Sequence, residues 1–152
     1  MADLETAQRC ADTMLANDRS SKAMGISIEI PEPGRSIAKM NVREDMVNGF
    51  GVIHGGLTFA LADTAFAFAC NAYDQQAFAA SAQIEFLRPA LLGDELTATA
   101  SEDYRGRRSG YYSAEVRNQR GELVALFRGR SASNGKPVIS HGSDTDNLEK
   151  AQ

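Results

Sequence analysis

His54-Gly55-Gly56-Leu57-Thr58-Phe59-Ala60-Leu61-Ala62-Asp63-Thr64-Ala65-Phe66-Ala67-Phe68-Ala69-Cys70-Asn71 is the stretch on which the fold turns. Its alanine density and its length favour helix over strand. A helix of about 17 residues at 1.5 Å each spans ~25 Å. Its sides are nearly all apolar, so it belongs in an interior rather than on a surface. Asp63 is the only acidic or basic residue, of the Asp, Glu, Lys, Arg and His types, between His54 and Asp74.

The segments on either side say what covers such a helix. Upstream, residues 3–19 read as an amphipathic helix with Leu4, Cys10, Ala11, Met14 and Leu15 near one side. Ile26, Ile28 and Ile30 then alternate with polar residues, the period of a strand with one buried face. Pro31-Glu32-Pro33-Gly34 is a turn cluster, and Ala38, Met40 and Val42 form the return strand. Downstream, Ala82-Ile84-Phe86, Leu96-Ala98-Ala100 and Tyr112-Ala114-Val116 alternate in the same way. Leu123 to Phe127 is apolar on both faces, as in an internal strand. Turns fall at Pro89, Gly93-Asp94, Arg105-Gly106-Arg107 and Asn118 to Gly121. This order predicts an α+β fold, a long central helix wrapped by a mostly antiparallel sheet of five to six strands. Residues 1–134 are expected to form one domain and residues 135–152, polar and aperiodic, a flexible tail.

Composition narrows the function. With 152 residues the chain can bury a core without staples. A formal charge of −4 argues against broad nucleic-acid binding. Cys10 and Cys70 suggest neither a disulfide framework nor a zinc site, which fits a reducing, cytoplasmic setting. The acidic N-terminus is no secretory signal, and polar residues interrupt the most apolar stretch, so no membrane span is expected. The spacing of Gly49, Gly51 and Gly55 is wrong for a dinucleotide fingerprint, and there is no phosphate-loop Lys. No Gly-x-Ser-x-Gly elbow accompanies His-Gly-Gly, and His54 with His141 cannot supply a metal site with these cysteines.

Two features carry chemistry. A carboxylate among alanines and phenylalanines is costly to desolvate, which raises its pKa. On composition alone Asp63 is equally a structural group bonded to a loop. If the helix starts at His54-Gly55-Gly56, its first N–H groups lack intrahelical acceptors and sit at the positive end of the helix dipole. Glycine there lets another molecule approach the backbone, an arrangement suited to a developing oxyanion. Taken alone, the same glycines only turn the chain. Gly55 and Asp63 lie about 12 Å apart along one helix, too far for both to reach one carbonyl. Two antiparallel copies can bring them together, so a two-fold dimer with shared sites is expected.

The run Asn48 to Gly56 followed by Leu61-Ala62-Asp63-Thr64-Ala65-Phe66-Ala67 resembles the hotdog-fold acyl-CoA thioesterases, and most closely the PaaI-type phenylacetyl-CoA thioesterases. Phe86-Leu87-Arg88-Pro89, Gly93 to Ala98 and Val124 to Gly129 resemble the same family. The resemblance implies a thioester hydrolase for aryl- or arylacetyl-CoA that needs no cofactor and forms dimers paired into tetramers. It implies that Asp63 is base or nucleophile, that Gly55 polarises the carbonyl, and that His54 shapes the turn. Asn48 would position water or substrate, although a turn role suits Asn-Gly equally. Gly56, Thr64, the Arg88-Pro89 segment and the loop Arg105, Gly106, Arg107, Arg108 become candidates for substrate contact, the arginines for phosphates. Two rivals are kept: a hotdog hydratase or dehydratase, and an acyl-CoA-binding module without turnover.

Overall fold

A computed structural model describes residues 2–140 of the chain. The elements in order are α1 (Leu4–Asn17), α2 (Arg19–Ala23), β1 (Ser27–Glu32), β2 (Arg35–Asn41), a 3-10 turn (Glu44–Met46), α3 (Gly55–Cys70), β3 (Ala77–Phe86), β4 (Glu95–Arg105), β5 (Ser109–Arg117) and β6 (Leu123–Ser133). The strands form one sheet in the order β1-β2-β4-β5-β6-β3, antiparallel throughout, curled about α3. This is the hotdog arrangement.

Small residues let α3 approach the sheet. Ala38, Ala98, Ala100 and Ala114 line its bed, and Leu61, Ala62, Ala65, Phe66 and Ala69 fill it. The Phe66 ring meets Tyr112 edge-on at 5.5 Å and Phe127 at 5.7 Å. Phe66 and Phe68 are both buried in the core. The buried Ser36 hydroxyl on β2 donates to the Ala65 carbonyl and fixes the helix against the sheet. Asn71 closes the far end: its Oδ1 accepts from Ala77 N (2.9 Å) and its Nδ2 donates to Ala67 O (2.9 Å). The chain is thus turned directly from α3 into β3.

The expected single helix over 3–19 is divided at Asp18. Its carboxylate accepts from Ser21 N at 2.9 Å and so caps a second helix. On α1, Ala7, Cys10 and Ala11 are buried, Ala7 and Ala11 against Phe68 and Ala72, while Leu4 stays exposed.

β3 departs from its pattern. Its alternation predicts one buried face, yet all its residues except Ala77 and Ile84 are exposed. The physical reason is placement: α3 packs chiefly over β2, β4 and β5, and β3 lies at the sheet's edge. On α3 itself Gly56, Phe59, Ala60, Asp63 and Ala67, at helical spacing, are not fully buried. An open helix stripe and the outer edge of a ten-residue strand, paired only with β6, are thus left uncovered in one chain.

After β6 the chain doubles back. Gln76 N donates to Lys136 O (2.8 Å), and Ile139, itself buried, donates its N–H to Asp74 Oδ1 (2.8 Å). The first residues of the expected tail from 135 are tied down in this way. The remainder, 141–152 including His141, lies outside the described residues. Among the described residues no helix is long and apolar enough to cross a membrane.

Candidate active site

The start of α3 is held by a loop that the sequence builds from Asn48-Gly49-Phe50-Gly51. Asn48 Oδ1 accepts from Phe50 N (2.9 Å) and Val52 N (3.2 Å), and Gly51 takes the positive φ of 73° that a turn here requires. Asn48 therefore organises the turn, the plainer of its two expected roles. Ile53 N donates to Ala90 O and His54 N to Met46 O, both 2.9 Å, which ties the turn to the Arg88-Pro89 segment.

His54 is the N-cap residue of α3 and is exposed; its side chain makes no capping bond. Its carbonyl receives Leu57 N (2.9 Å) and Thr58 N (3.5 Å). The amides of Gly55 and Gly56, one step earlier, have no intrahelical acceptor and stand at the positive end of the helix dipole. A Cβ on Gly55 would lie 2.9 Å from the tip of the Phe86 ring, whereas one on Gly56 would meet nothing within 4 Å. A methyl at position 55 would thus have to displace the Phe86 ring tip, whereas Gly56 is open to an incoming group.

Asp63 lies eight residues further along, about 12 Å away at 1.5 Å per residue. Burial pushes its carboxyl above the usual carboxylate range, and among the described residues no cation or hydrogen bond offsets that cost. The alternative of a structural carboxylate bonded to a loop is therefore not what the fold contains. Beside it, the Thr64 hydroxyl donates back to Ala60 O at 2.6 Å within the helix.

The sign of the linkage follows from the raised pKa. The folded state binds a proton more tightly than the unfolded chain, so charged Asp63 costs stability above its folded pKa. That cost fades as pH falls and is gone below the unfolded value of 3.8. Asp63→Asn is accordingly expected to melt higher than the parent at neutral pH, with the difference vanishing in acid. Thermal unfolding of both proteins across pH reads this directly.

The other candidates divide into two groups at opposite ends of α3. Arg88 and Pro89 border a cleft of about 320 Å³ together with Val52, Ile53, Thr58 and Phe86, beside the helix start. Arg88 also pairs with Glu122 at 2.9 Å. Arg105, Gly106, Arg107 and Arg108 lie instead near Cys70 and Gln75, at the helix end. Arg107 and Arg108 border a second hollow of about 250 Å³ with Gln75 and Asn134. The Arg105 guanidinium sits 3.8 Å over the Tyr73 ring. Glu102 accepts from Tyr73 (2.7 Å) and Tyr112 (3.0 Å), fixing the platform beneath it. Burial, helped by Glu102, pushes the Tyr73 phenol up to about 12, so it remains a donor to Glu102 at any physiological pH. Within one chain these arginines do not meet Gly55.

Sequence reasoning did not single out Phe86 or Thr58. Phe86 carried a signal, the last apolar position of an alternating strand, but alternation alone does not say what the ring will face.

Comparison with known proteins bears on the family of the chain. Residues 50–125 match the family model of the thioesterase superfamily. The acyl-coenzyme A thioesterase PaaI of Escherichia coli K12 is 46% identical over 121 residues, 80% of this chain and 86% of that protein. The structure of E. coli PaaI, described as from the phenylacetic acid degradation operon, superposes with a TM-score of 0.86 at 44% identity, covering 88% of this chain and 96% of that one. A variant of the phenylacetic acid degradation protein PaaI from Thermus thermophilus superposes at 0.72 with 36% identity, over 76% and 98% of the two chains. The chain belongs to the thioesterase superfamily, as a hotdog-fold thioester hydrolase similar to the acyl-coenzyme A thioesterase PaaI.

Proposed function

We propose that the chain hydrolyses aryl- or arylacetyl-coenzyme A to the free acid and coenzyme A, at sites shared between two copies. One observation carries the reading: Asp63 has no partner among the described residues, lies on the uncovered stripe of α3, and cannot reach the Gly55 amide of its own chain. An exposed edge strand rich in alanine and phenylalanine is a template for pairing with another copy. Antiparallel pairing of β3 with its twin would set the two α3 helices side by side and bring Asp63 of one chain towards Gly55 of the other. The same pairing brings the 105–108 loop of one chain towards the helix start of the next. Acyl specificity rests on likeness to PaaI, whose structure is described from the phenylacetic acid degradation operon.

In the proposed reaction the thioester oxygen sits on the Gly55 amide, which gains strength as the oxygen becomes an anion. Asp63 either takes a proton from the attacking water or attacks the carbonyl itself to give a mixed anhydride that water then opens. The coenzyme A thiolate leaves and takes up the proton. Asn48 and His54 hold the turn that aims the amides, and Gly56 and Thr64 flank the reacting groups. Free, buried Cys10 and Cys70 suit a reducing cytoplasm. Further pairing of dimers into tetramers is part of the proposal, and sedimentation at assay concentration checks it.

Thiol release from phenylacetyl-, hydroxyphenylacetyl-, benzoyl- and straight-chain acyl-CoA tests the acyl assignment. Preference for the arylacetyl esters supports it; equal or better turnover of straight chains contradicts it. The phosphate role has its own test. Arg107→Ala with Arg108→Ala is expected to raise KM for coenzyme A thioesters by about tenfold, the loss of one or two charge-assisted contacts. KM for the matching acyl-pantetheine, which lacks the nucleotide, should stay unchanged.

A further inference from the structure

We propose that Phe86 determines which acyl groups the enzyme accepts, by walling the cleft at the start of α3. The proposal rests on the thioesterase reading above and names the residue that measures the substrate. Phe86 ends β3 on the sheet face that carries α3, opposite Ala125 in the register. Its ring tip would stand 2.9 Å from a Cβ on Gly55, with two further ring carbons within 3.4 Å of that point. The Gly55 nitrogen is one bond from Cα, so it lies no more than about 6 Å from the ring edge. A carbonyl bound to that amide therefore lies in the same corner of the molecule as the ring, close enough for its acyl substituent to extend along it.

The surroundings fit an acyl group better than a nucleotide. Phe86 lines the cleft of about 320 Å³ with Val52, Ile53, Leu87, Pro89 and Val124; its polar members are Thr58 and Arg88, and Arg88 is already paired with Glu122 at 2.9 Å. That volume lies at the lower end of the small-ligand range, from about 300 Å³, and holds an aromatic acyl group. Phe86 is 55% exposed in one chain although it is large and apolar, so its outer side is left to be covered at the shared site, by ligand or by the partner copy. An aromatic wall also favours an aryl substituent through edge-to-face contact. Burial among core neighbours does not explain the ring's position, because the strand's inner face here is uncovered.

Two substitutions of opposite sign test the idea. Phe86→Ala enlarges the cleft; the ratio of kcat/KM for naphthylacetyl-CoA to that for phenylacetyl-CoA is expected to rise by about tenfold or more. Phe86→Trp narrows it, and the same ratio should fall below the parent's. Melting curves confirm that both proteins fold. Phenylacetyl-CoA hydrolysis by the parent protein establishes the thioesterase reading independently of either variant. If the parent hydrolyses both esters and neither variant moves the ratio, the proposal fails while the thioesterase reading stands. A change in KM that is equal for every acyl group, with an equal change in inhibition by free coenzyme A, would place Phe86 on the thiol side and also overturn it.

Discussion

Asp63→Ala and Asp63→Asn are expected to lower kcat by about 10²–10⁴-fold, the contribution of a positioned base, or more if the carboxylate attacks directly. The fold should survive, because among the described residues the carboxylate makes no bond that the structure depends on, and its charge is a cost to stability. Activity of the parent should fall on the acid side as Asp63 takes up its proton. That limb should lie above the 3.8 of an ordinary aspartate, since burial without an offsetting partner raises the folded pKa. Steady-state kinetics across pH, with melting curves of the variants, reads both effects. Near-parental turnover in either variant would remove Asp63 from the chemistry. Single turnover in ¹⁸O-water separates its two roles: label in Asp63 follows only from a mixed anhydride cleaved at the Asp63 carbon.

Gly55→Ala is expected to lower kcat by up to about 10²-fold: the backbone N–H donor is kept, and the loss follows as far as crowding shifts that amide from its aim. Alanine is the better helix former, so propensity alone predicts no harm. The damage comes from space: the new methyl would stand 2.9 Å from the Phe86 ring, and either the ring or the first turn of α3 must move. Gly56→Ala is the internal comparison, because a Cβ there meets nothing within 4 Å of the chain. Its smaller effect would separate crowding by Phe86 from a general intolerance of side chains at the helix start. Pairing Gly55→Ala with Phe86→Ala should recover part of the loss, since the second change removes the obstacle. Measuring kcat for the four proteins completes the comparison.

The periodicities of the chain carried most of the fold. The alternations at Ala38-Met40-Val42, Leu96-Ala98-Ala100 and Tyr112-Ala114-Val116 mark faces that are indeed buried. The all-round apolar run from Leu57 located the central helix, whose start at Gly55 was legible from the glycines. β3 was legible as a strand but not as an edge, because Ala82, Ile84 and Phe86 look the same whether α3 or another chain covers them. The break at Asp18 was hidden for a related reason: the apolar side of α1 continues towards it, and only the cap bond to Ser21 shows the division. At the site, Asp63 stood out because charge among alanines is conspicuous, while Phe86 did not, since its role depends on the Gly55 backbone it touches. The Tyr73–Glu102–Tyr112 bonds under Arg105 join three separate segments, and no local pattern announces such a junction.

Sharing of each site between two chains is the claim on which the mechanism depends, and complementation tests it most directly. Asp63→Ala and Gly55→Ala chains, each impaired alone, are co-expressed with different tags and the mixed species is purified. In a mixed dimer one site joins the intact Gly55 of one chain to the intact Asp63 of the other, and its second site lacks both. Turnover should return to about half the parental value per mixed dimer, and to about a quarter in a statistical mixture. Mixed dimers that form and remain as impaired as the two single variants would contradict the account.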